Sequence, residues 1–200
     1  MVRLSYLLFI NYVYVTHSHR NITVFYNLYT PTIADIPRVR SIITSQFKKL
    51  RSFHNIVYNS IGVPILPFPL NATWHGHYNT GNESVTLNDM WLFCKLDKNN
   101  YNIVSYMHSK GSYHPSRGND IQREFISEAA LSYECANMPH TCNVCAGRIS
   151  PLPHLHTSGN MFVARCSYIK TLIKPSKFHI EMDNVIMSTG SPKPCRGIGR

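Results

Sequence analysis

The residues best placed for chemistry are a histidine and a lysine that follow a run of apolar residues. Residues 101–107 (YNIVSYM) have the β-branched and aromatic composition of a strand, and His108, Ser109, Lys110 and Gly111 come directly after it. In open α/β sheets, ligands bind beyond the carboxyl ends of the strands. A His and a Lys at such an end can contact phosphate, and glycine lets the backbone approach it closely. The alternative is an ordinary turn with exposed polar side chains.

A second group of candidate residues consists of cysteines late in the chain, namely Cys135, Cys142, Cys145 and Cys166. The two-residue spacing between Cys142 and Cys145 is typical of metal ligands, and nearby histidines would complete a tetrahedral zinc site. In an oxidising compartment the same cysteines would form disulfides that pin a long loop, and unpaired thiols are a third alternative. We favour disulfides, and for either site we predict that the four sulfur atoms lie in one neighbourhood.

The elements that must position these residues alternate between strand and helix. Residues 21–29 and 54–61 read as buried strands on either side of a helix over 38–53, which predicts a parallel βαβ unit. Residues 64–81 and 136–159 read as loops rich in Pro, Gly or Cys. The remaining predicted elements are helices over 86–94, 121–134 and 167–173 and strands over 101–107 and 160–164. The fold class is therefore α/β, with a mostly parallel central sheet flanked by helices.

Three motifs in this order carry a resemblance to a known family. They are Phe25-Tyr-Asn-Leu-Tyr29, His108-Ser-Lys-Gly111 and Ser158-Gly-Asn-Met-Phe-Val-Ala-Arg165. They resemble motifs of the rhamnan synthesis protein F family and of related eukaryotic glycosyltransferase-like proteins, over roughly residues 22–182. The resemblance implies a GT-A-like domain that transfers a sugar from a nucleotide-sugar donor to a glycan or protein acceptor.

The resemblance also implies roles for single residues. The first βαβ unit, with Tyr26 and Asn27, would hold the nucleotide. His108, Lys110 and Gly111 would lie at the diphosphate. The pair Gly159 and Asn160 would contact the sugar or the acceptor, and Arg165 would either pair with phosphate or brace its strand.

The sequence departs from metal-dependent members of such families at one point. The Asp-x-Asp motif that holds a divalent cation, Mn or Mg, is absent, and His108-Ser-Lys110 stands in its place. A lysine can neutralise a leaving diphosphate without a metal, so metal-independent transfer is one expectation and a bound cation the other. Glu181 and Asp183 form the acidic pair that can supply a general base, with a solvated acidic turn as the alternative.

Composition and targeting signals indicate the compartment. The formal charge of +10 is scattered along the chain without a nucleic-acid motif, so anionic ligands are expected and nucleic acid is not. Three sequons, at Asn21, Asn71 and Asn82, predict glycosylation in a secretory lumen. The expected location is the Golgi lumen or a membrane-anchored state there, with an extracellular location as the alternative.

The domain organisation follows from the apolar start of the chain. Residues 1–20 are interpreted as a signal peptide or a truncated signal anchor that associates with the membrane, with a first buried strand as the alternative. Residues 21–200 are interpreted as one glycosyltransferase-like domain that continues beyond residue 200. Two other functions stay open: a non-catalytic lumenal carbohydrate-binding or structural module with the same fold, and a zinc-binding interaction module.

Overall fold

A six-stranded sheet forms the centre of the molecule in the computed structural model, which describes residues 21–151, 156–157 and 159–189. The strands are β1 (Ile22–Thr30), β2 (His54–Gly62), β3 (Thr73–Tyr78), β4 (Ile103–His108), β5 (Val144–Cys145), β6 (Ile149–Ser150), β7 (His156–Thr157) and β8 (Phe162–Arg165). The strand order in the sheet is β3-β2-β1-β4-β8-β5, and β6 and β7 form a separate small hairpin.

The sheet is parallel over four neighbouring strands and antiparallel beyond them. The strand β1 pairs in parallel with both β2 and β4, and β2 pairs in parallel with β3. On the far side of β4, β8 runs antiparallel to both β4 and β5. This confirms the predicted parallel βαβ unit and the prediction that the strands at residues 24–29, 56–58 and 103–107 are neighbours.

Helices cover both faces of the sheet. They are α1 (Ile36–Gln46), α2 (Ser84–Leu96), α3 (Arg117–Ala130), α4 (Tyr133–Ala136), α5 (Cys166–Ile169) and α6 (Phe178–Thr189). Successive side chains of a strand point to opposite faces, so each face of β1 meets different helices. Val24 and Leu28 belong to the core that includes residues of α1 and α3. Phe25 packs with Met90 of α2 and Ile169 of α5 on the other face.

The structure corrects the sequence prediction at several elements. β3 lies inside the predicted loop 64–81, and short strands occur in the predicted loop 136–159. The helix α2 begins at Ser84, with Glu83 at its N-cap position, so the predicted cap at Thr86 is wrong. Glu181 and Asp183 lie within α6, so the late acidic segment is a helix.

The structure confirms part of the cysteine prediction. Cys94 of α2 is bonded to Cys166 at the start of α5, and Cys135 of α4 is bonded to Cys145 of β5. The favoured prediction of disulfides is therefore confirmed for Cys135, Cys145 and Cys166, and the zinc alternative is wrong. The expectation that all four late cysteines take part is also wrong, because Cys94 takes one partner and Cys142 stays an exposed free thiol. The first bridge joins residues 72 positions apart, where closing the chain contributes about 4 kcal/mol in the loop-entropy model. Both disulfides are consistent with an oxidising secretory or extracellular environment.

The targeting prediction for residues 1–20 lies outside the described residues. Among the helices that the structure describes, none combines the length and apolar character needed to cross a bilayer.

His54 at the start of β2 is buried in a neutral state. Its Nδ1 accepts a hydrogen bond from the Arg51 backbone N–H at 3.1 Å, so the ring proton lies on Nε2, which is buried without a partner in the described part of the chain. Burial lowers the pKa of His54 to about 4 from 6.5, and the charge of Arg51 acts in the same direction.

We predict that His54 makes the fold less stable in mild acid. The unfolded chain binds a proton at this histidine with a pKa near 6.5, whereas the folded chain does so near 4. The free energy of unfolding therefore keeps its full value above pH 6.5. It decreases as the pH falls towards 4, by at most about 1.4 kcal/mol for each pH unit. Urea unfolding between pH 7 and pH 4.5 should show a smaller loss for His54→Gln than for the wild type. Equal losses of stability in the wild type and in His54→Gln would contradict this assignment. The control is His179→Gln, at an exposed position of α6.

Candidate functional site

An open cleft lies where the strand order reverses. From β1 the chain moves outward through β2 to β3 on one side, and then returns to place β4 on the other side of β1. Such a reversal leaves a crevice beyond the carboxyl ends of the two strands, which is the usual ligand position in open α/β sheets. A cavity of about 720 Å³ opens there, lined by the ends of β1 and β2, the loop before α2 and the loop after β4.

The loop after β4 is a tight turn that two arginines hold in place. The Ser112 N–H donates to the Ser109 carbonyl at 3.0 Å, and Gly111 has a φ of +83°, where an L side chain would be strained. A Cβ on Gly111 would also lie 3.0 Å from Arg123 Nη1. Arg123 donates to the Lys110 carbonyl at 2.9 Å, and Arg38 donates to the Gly111 carbonyl at 2.6 Å. The turn therefore presents a fixed backbone to the cleft.

Ser109 joins this turn to the end of β1. Its backbone N–H donates to the Asn27 carbonyl at 3.0 Å, and its Oγ accepts from the Tyr29 N–H at 2.8 Å. Ser109 is buried, so these hydrogen bonds form away from solvent. They extend the pairing of β1 with β4 past the last ladder residue, and they join the end of β1 to the turn that carries Lys110.

Lys110 is the cation available to a ligand in the cleft. Its side chain is half-buried and lines the cavity. Within the described residues its ammonium group forms no hydrogen bond or ion pair. The two nearby arginines are already occupied. Arg38 donates to carbonyls of the turn and pairs with Asp35 at 2.9 Å, and Arg123 donates to the Lys110 carbonyl. An unpaired ammonium in a partly enclosed cleft favours an anionic ligand.

A carboxylate, a histidine and a tyrosine meet at the end of β4. Glu83 Oε1 lies 3.3 Å from His108 Nδ1, and the Tyr106 hydroxyl donates to Glu83 Oε2 at 3.2 Å. The His108 Nε2 atom lies 2.9 Å from the Gly159 carbonyl oxygen. Burial raises the pKa of Tyr106 well above its usual value, and the negative charge of Glu83 adds to this, so the phenol stays protonated and donates. Glu83 is thus oriented by two neighbours.

Gln46 of α1 supports the backbone of His108 at the cleft. Its Nε2 donates to the His108 carbonyl at 2.9 Å and to Ser127 Oγ at 3.0 Å. Its Oε1 accepts from the Tyr26 hydroxyl at 2.7 Å. Gln46 is 3% exposed and therefore connects α1, β1, β4 and α3 at a single buried point.

The structure brings together some of the residues predicted for the site. Asn27, His108, Lys110 and Gly111 line the cleft. Gly159 adjoins it through the carbonyl that contacts His108.

The other predicted site residues lie elsewhere. Tyr26 is fully buried and cannot contact a ligand, so its predicted role is wrong. Asn160, Glu181 and Asp183 are exposed but are not among the residues that line the cleft. Arg165 donates to the carbonyls of Met138, Pro139 and Cys142, which corresponds to the bracing alternative and not to phosphate binding.

Sequence reasoning missed Glu83 and the aromatic rim of the cleft. Glu83 is the middle residue of the sequon at Asn82, and its partner His108 is distant in the chain, so no local pattern marks it as a site residue. Tyr29 and Tyr113 line the cleft with ring centroids 5.8 Å apart. Asn82, predicted as a glycosylation site, also lines the cleft. It is exposed, as are the other two sequon residues, Asn21 and Asn71.

The comparisons with known proteins identify the family. A family model described as "Domain of unknown function (DUF8361)" matches residues 25–200, so the chain belongs to this family. No curated protein and no solved structure matches the chain.

We predict that Gln46 contributes to the stability of the cleft wall. Replacement by Leu removes the acceptor of the buried Tyr26 hydroxyl and one of the donors to the His108 carbonyl. Leaving a buried polar group unpaired costs about 1–3 kcal/mol. Urea unfolding of Gln46→Leu should show a loss in that range, whereas Ser41→Ala, at an exposed position of the same helix, should change stability by less than about 0.5 kcal/mol. A loss no larger than that of the control would contradict the role given to Gln46.

Proposed function

We propose that this DUF8361 domain binds a nucleotide-activated sugar in the cleft and transfers the sugar to a hydroxyl group of a glycan or glycoprotein. The observation that carries the proposal is the unpaired ammonium of Lys110, held at the strand-order reversal between β1 and β4. The sequence motifs around Asn27 and His108, which resemble those of glycosyltransferases, lie on the same cavity.

Lys110 would neutralise the leaving diphosphate. Transfer breaks the bond between the anomeric carbon and a phosphate oxygen, and negative charge grows on that oxygen. A cation that is already present at the cleft can stabilise such charge. The fixed turn supports this role, because Gly111 and its two arginine partners keep the backbone of Lys110 in place.

Glu83 would act as the general base. The acceptor oxygen forms a bond to the anomeric carbon and loses its proton, which Glu83 can accept. The contacts with His108 and Tyr106 orient the carboxylate, and its side chain is still 34% exposed. Glu83 replaces Glu181 and Asp183 in this role, since those two lie on α6 and do not line the cleft.

The residues of the cleft do not form a good site for a divalent cation. Such ions take several oxygen ligands, usually from more than one carboxylate. Among the described residues that line the cleft, Glu83 carries the carboxylate, and it already contacts His108 and Tyr106. No group of three potential ligands occurs within the described residues. We therefore assign no step to a metal.

The proposed setting is the secretory pathway, in the Golgi lumen. The two disulfides and the three exposed sequons fit an oxidising lumen. Residues 1–20 would supply the signal peptide or the membrane anchor.

A second candidate is a non-catalytic module that binds a glycan or nucleotide without transfer. The observation in its favour is that Asn160, expected near the sugar or the acceptor, is not among the residues that line the cleft. In that case Lys110 would contribute to affinity, and Glu83 would not affect any reaction.

We predict that Lys110 and Glu83 are both needed for transfer. Release of nucleoside diphosphate from a panel of nucleotide sugars should fall at least about 100-fold in Lys110→Ala and in Glu83→Gln. His108→Ala should weaken nucleotide binding by a smaller factor. The control is Lys98→Ala, which changes an exposed lysine outside the cleft.

The three cleft variants and the control must keep the circular dichroism spectrum of the wild type. Full activity in folded Lys110→Ala would contradict the proposal. Wild-type protein that binds nucleotide sugars but never releases the diphosphate would favour the non-catalytic module.

A further inference from the structure

A chain of buried hydrogen bonds runs from α2 to the wall of the cleft. Asn59 Nδ2 donates to Asp89 Oδ2 at 2.7 Å and to Thr86 Oγ1 at 3.2 Å. The Thr86 hydroxyl then donates to Asn27 Oδ1 at 2.8 Å. Asn27, Asn59 and Thr86 are each at most 4% exposed, so solvent does not compete for these bonds.

The donor and the acceptor of each hydrogen bond in this chain can be assigned, starting from Asp89. An ionised carboxylate only accepts hydrogen bonds, so the atom of Asn59 that faces Asp89 must be its nitrogen. The same nitrogen donates to Thr86. The opposite amide orientation would bring two oxygen atoms within 2.7 Å of each other. The network keeps the stated orientation although Asn59 Oδ1 is then buried without a partner in the described part of the chain.

The assignment for Thr86 determines which atom of Asn27 faces it. The Thr86 oxygen accepts from Asn59, and its single proton is left for Asn27. The atom of Asn27 that receives this proton must be the carbonyl oxygen, Oδ1. The amide nitrogen of Asn27 then keeps both of its protons. Within the described residues Nδ2 has no hydrogen-bond partner. This nitrogen is not fully buried, and Asn27 lines the cavity, so it is in contact with the cleft.

We infer that Thr86 is a positioning residue that makes Asn27 a hydrogen-bond donor to the ligand. The inference rests on the proposed function for the identity of the ligand. Asn27 and Lys110 line the same cavity, and the Ser109 N–H binds the Asn27 carbonyl to the turn that carries Lys110. A donor amide and an ammonium on one cavity select an oxygen that carries no proton, such as a phosphate oxygen. The diphosphate would therefore accept from Asn27 and pair with Lys110.

Binding measurements with matched variants test this assignment. The probes are inorganic pyrophosphate and a panel of nucleoside diphosphates, measured by isothermal titration calorimetry. Thr86→Val removes the hydroxyl at nearly constant shape, and we expect a loss of affinity of about 10-fold. Thr86→Ser keeps the hydroxyl and should bind within about twofold of the wild type. Asn27→Asp places an oxygen where the ligand needs a donor, so it should lose more affinity than Asn27→Ala.

Two outcomes would overturn the role of Thr86. One is a folded Thr86→Val protein that binds like the wild type. The other is a loss of affinity on Thr86→Val that is equally large in the Asn27→Ala background, because Thr86 would then not act through Asn27. Wild-type affinity in Asn27→Asp would show that an oxygen already faces the cleft, which would reverse the assignment.

A ligand-free measurement separates this inference from the proposed function. In the wild-type protein, the side-chain amide protons of Asn27 should exchange rapidly with water by NMR, whereas those of Asn59 should be protected. Protected Asn27 protons together with rapidly exchanging Asn59 protons would refute the orientation whether or not any nucleotide binds. If no probe binds the wild type but the exchange pattern is as expected, the proposed function fails and the orientation of Asn27 stands.

Discussion

The cleft depends on holding the carboxyl ends of β1 and β4 side by side after their ladder ends. Two strands that leave a sheet together expose backbone groups, and these must find partners if they are buried. Ser109 supplies such partners between the strands, because its N–H donates to the Asn27 carbonyl and its Oγ accepts from the Tyr29 N–H. Gln46 of α1 supplies another, because its side chain donates to the His108 carbonyl. These contacts fix the backbone from which the side chains of Asn27, His108 and Lys110 line one cavity.

The balance of charge on the cleft follows from which polar groups already have partners. Arg38 and Arg123 are occupied by carbonyls of the turn, and each also pairs with an aspartate of its own segment. Glu83 is held by His108 and Tyr106. Lys110 is left with its charge available, so the arginines build the turn and the lysine faces the ligand. This division explains why a basic residue near a cleft is not by itself a ligand contact, as Arg165 shows with its three carbonyl partners.

Local sequence patterns predicted the elements whose burial follows a simple period. The apolar runs of β1, β2 and β4 and the helical spacing of α1 mark a parallel βαβ core, and the cleft residues after β4 follow from that placement. The edge strand β3 escaped because Thr73–Tyr78 is largely exposed and has no alternating apolar pattern. Glu83 and Cys94 escaped for another reason: their partners His108 and Cys166 are distant in the chain, and only the folded sheet brings them together. Tyr26 was misassigned because a motif match does not indicate which face of a strand a residue occupies.

The central claim is that the reversal between β1 and β4 is the ligand site, and chemical-shift mapping during a titration with nucleoside diphosphates tests it most directly. We expect backbone amide shifts that saturate with ligand and that are concentrated at Asn27, Glu83 and residues 108–113, with those shifts lost in Lys110→Ala. Saturable shifts confined to other parts of the described fold, such as α6 or the segment around Cys142, would contradict the account, as would the absence of any saturable shift.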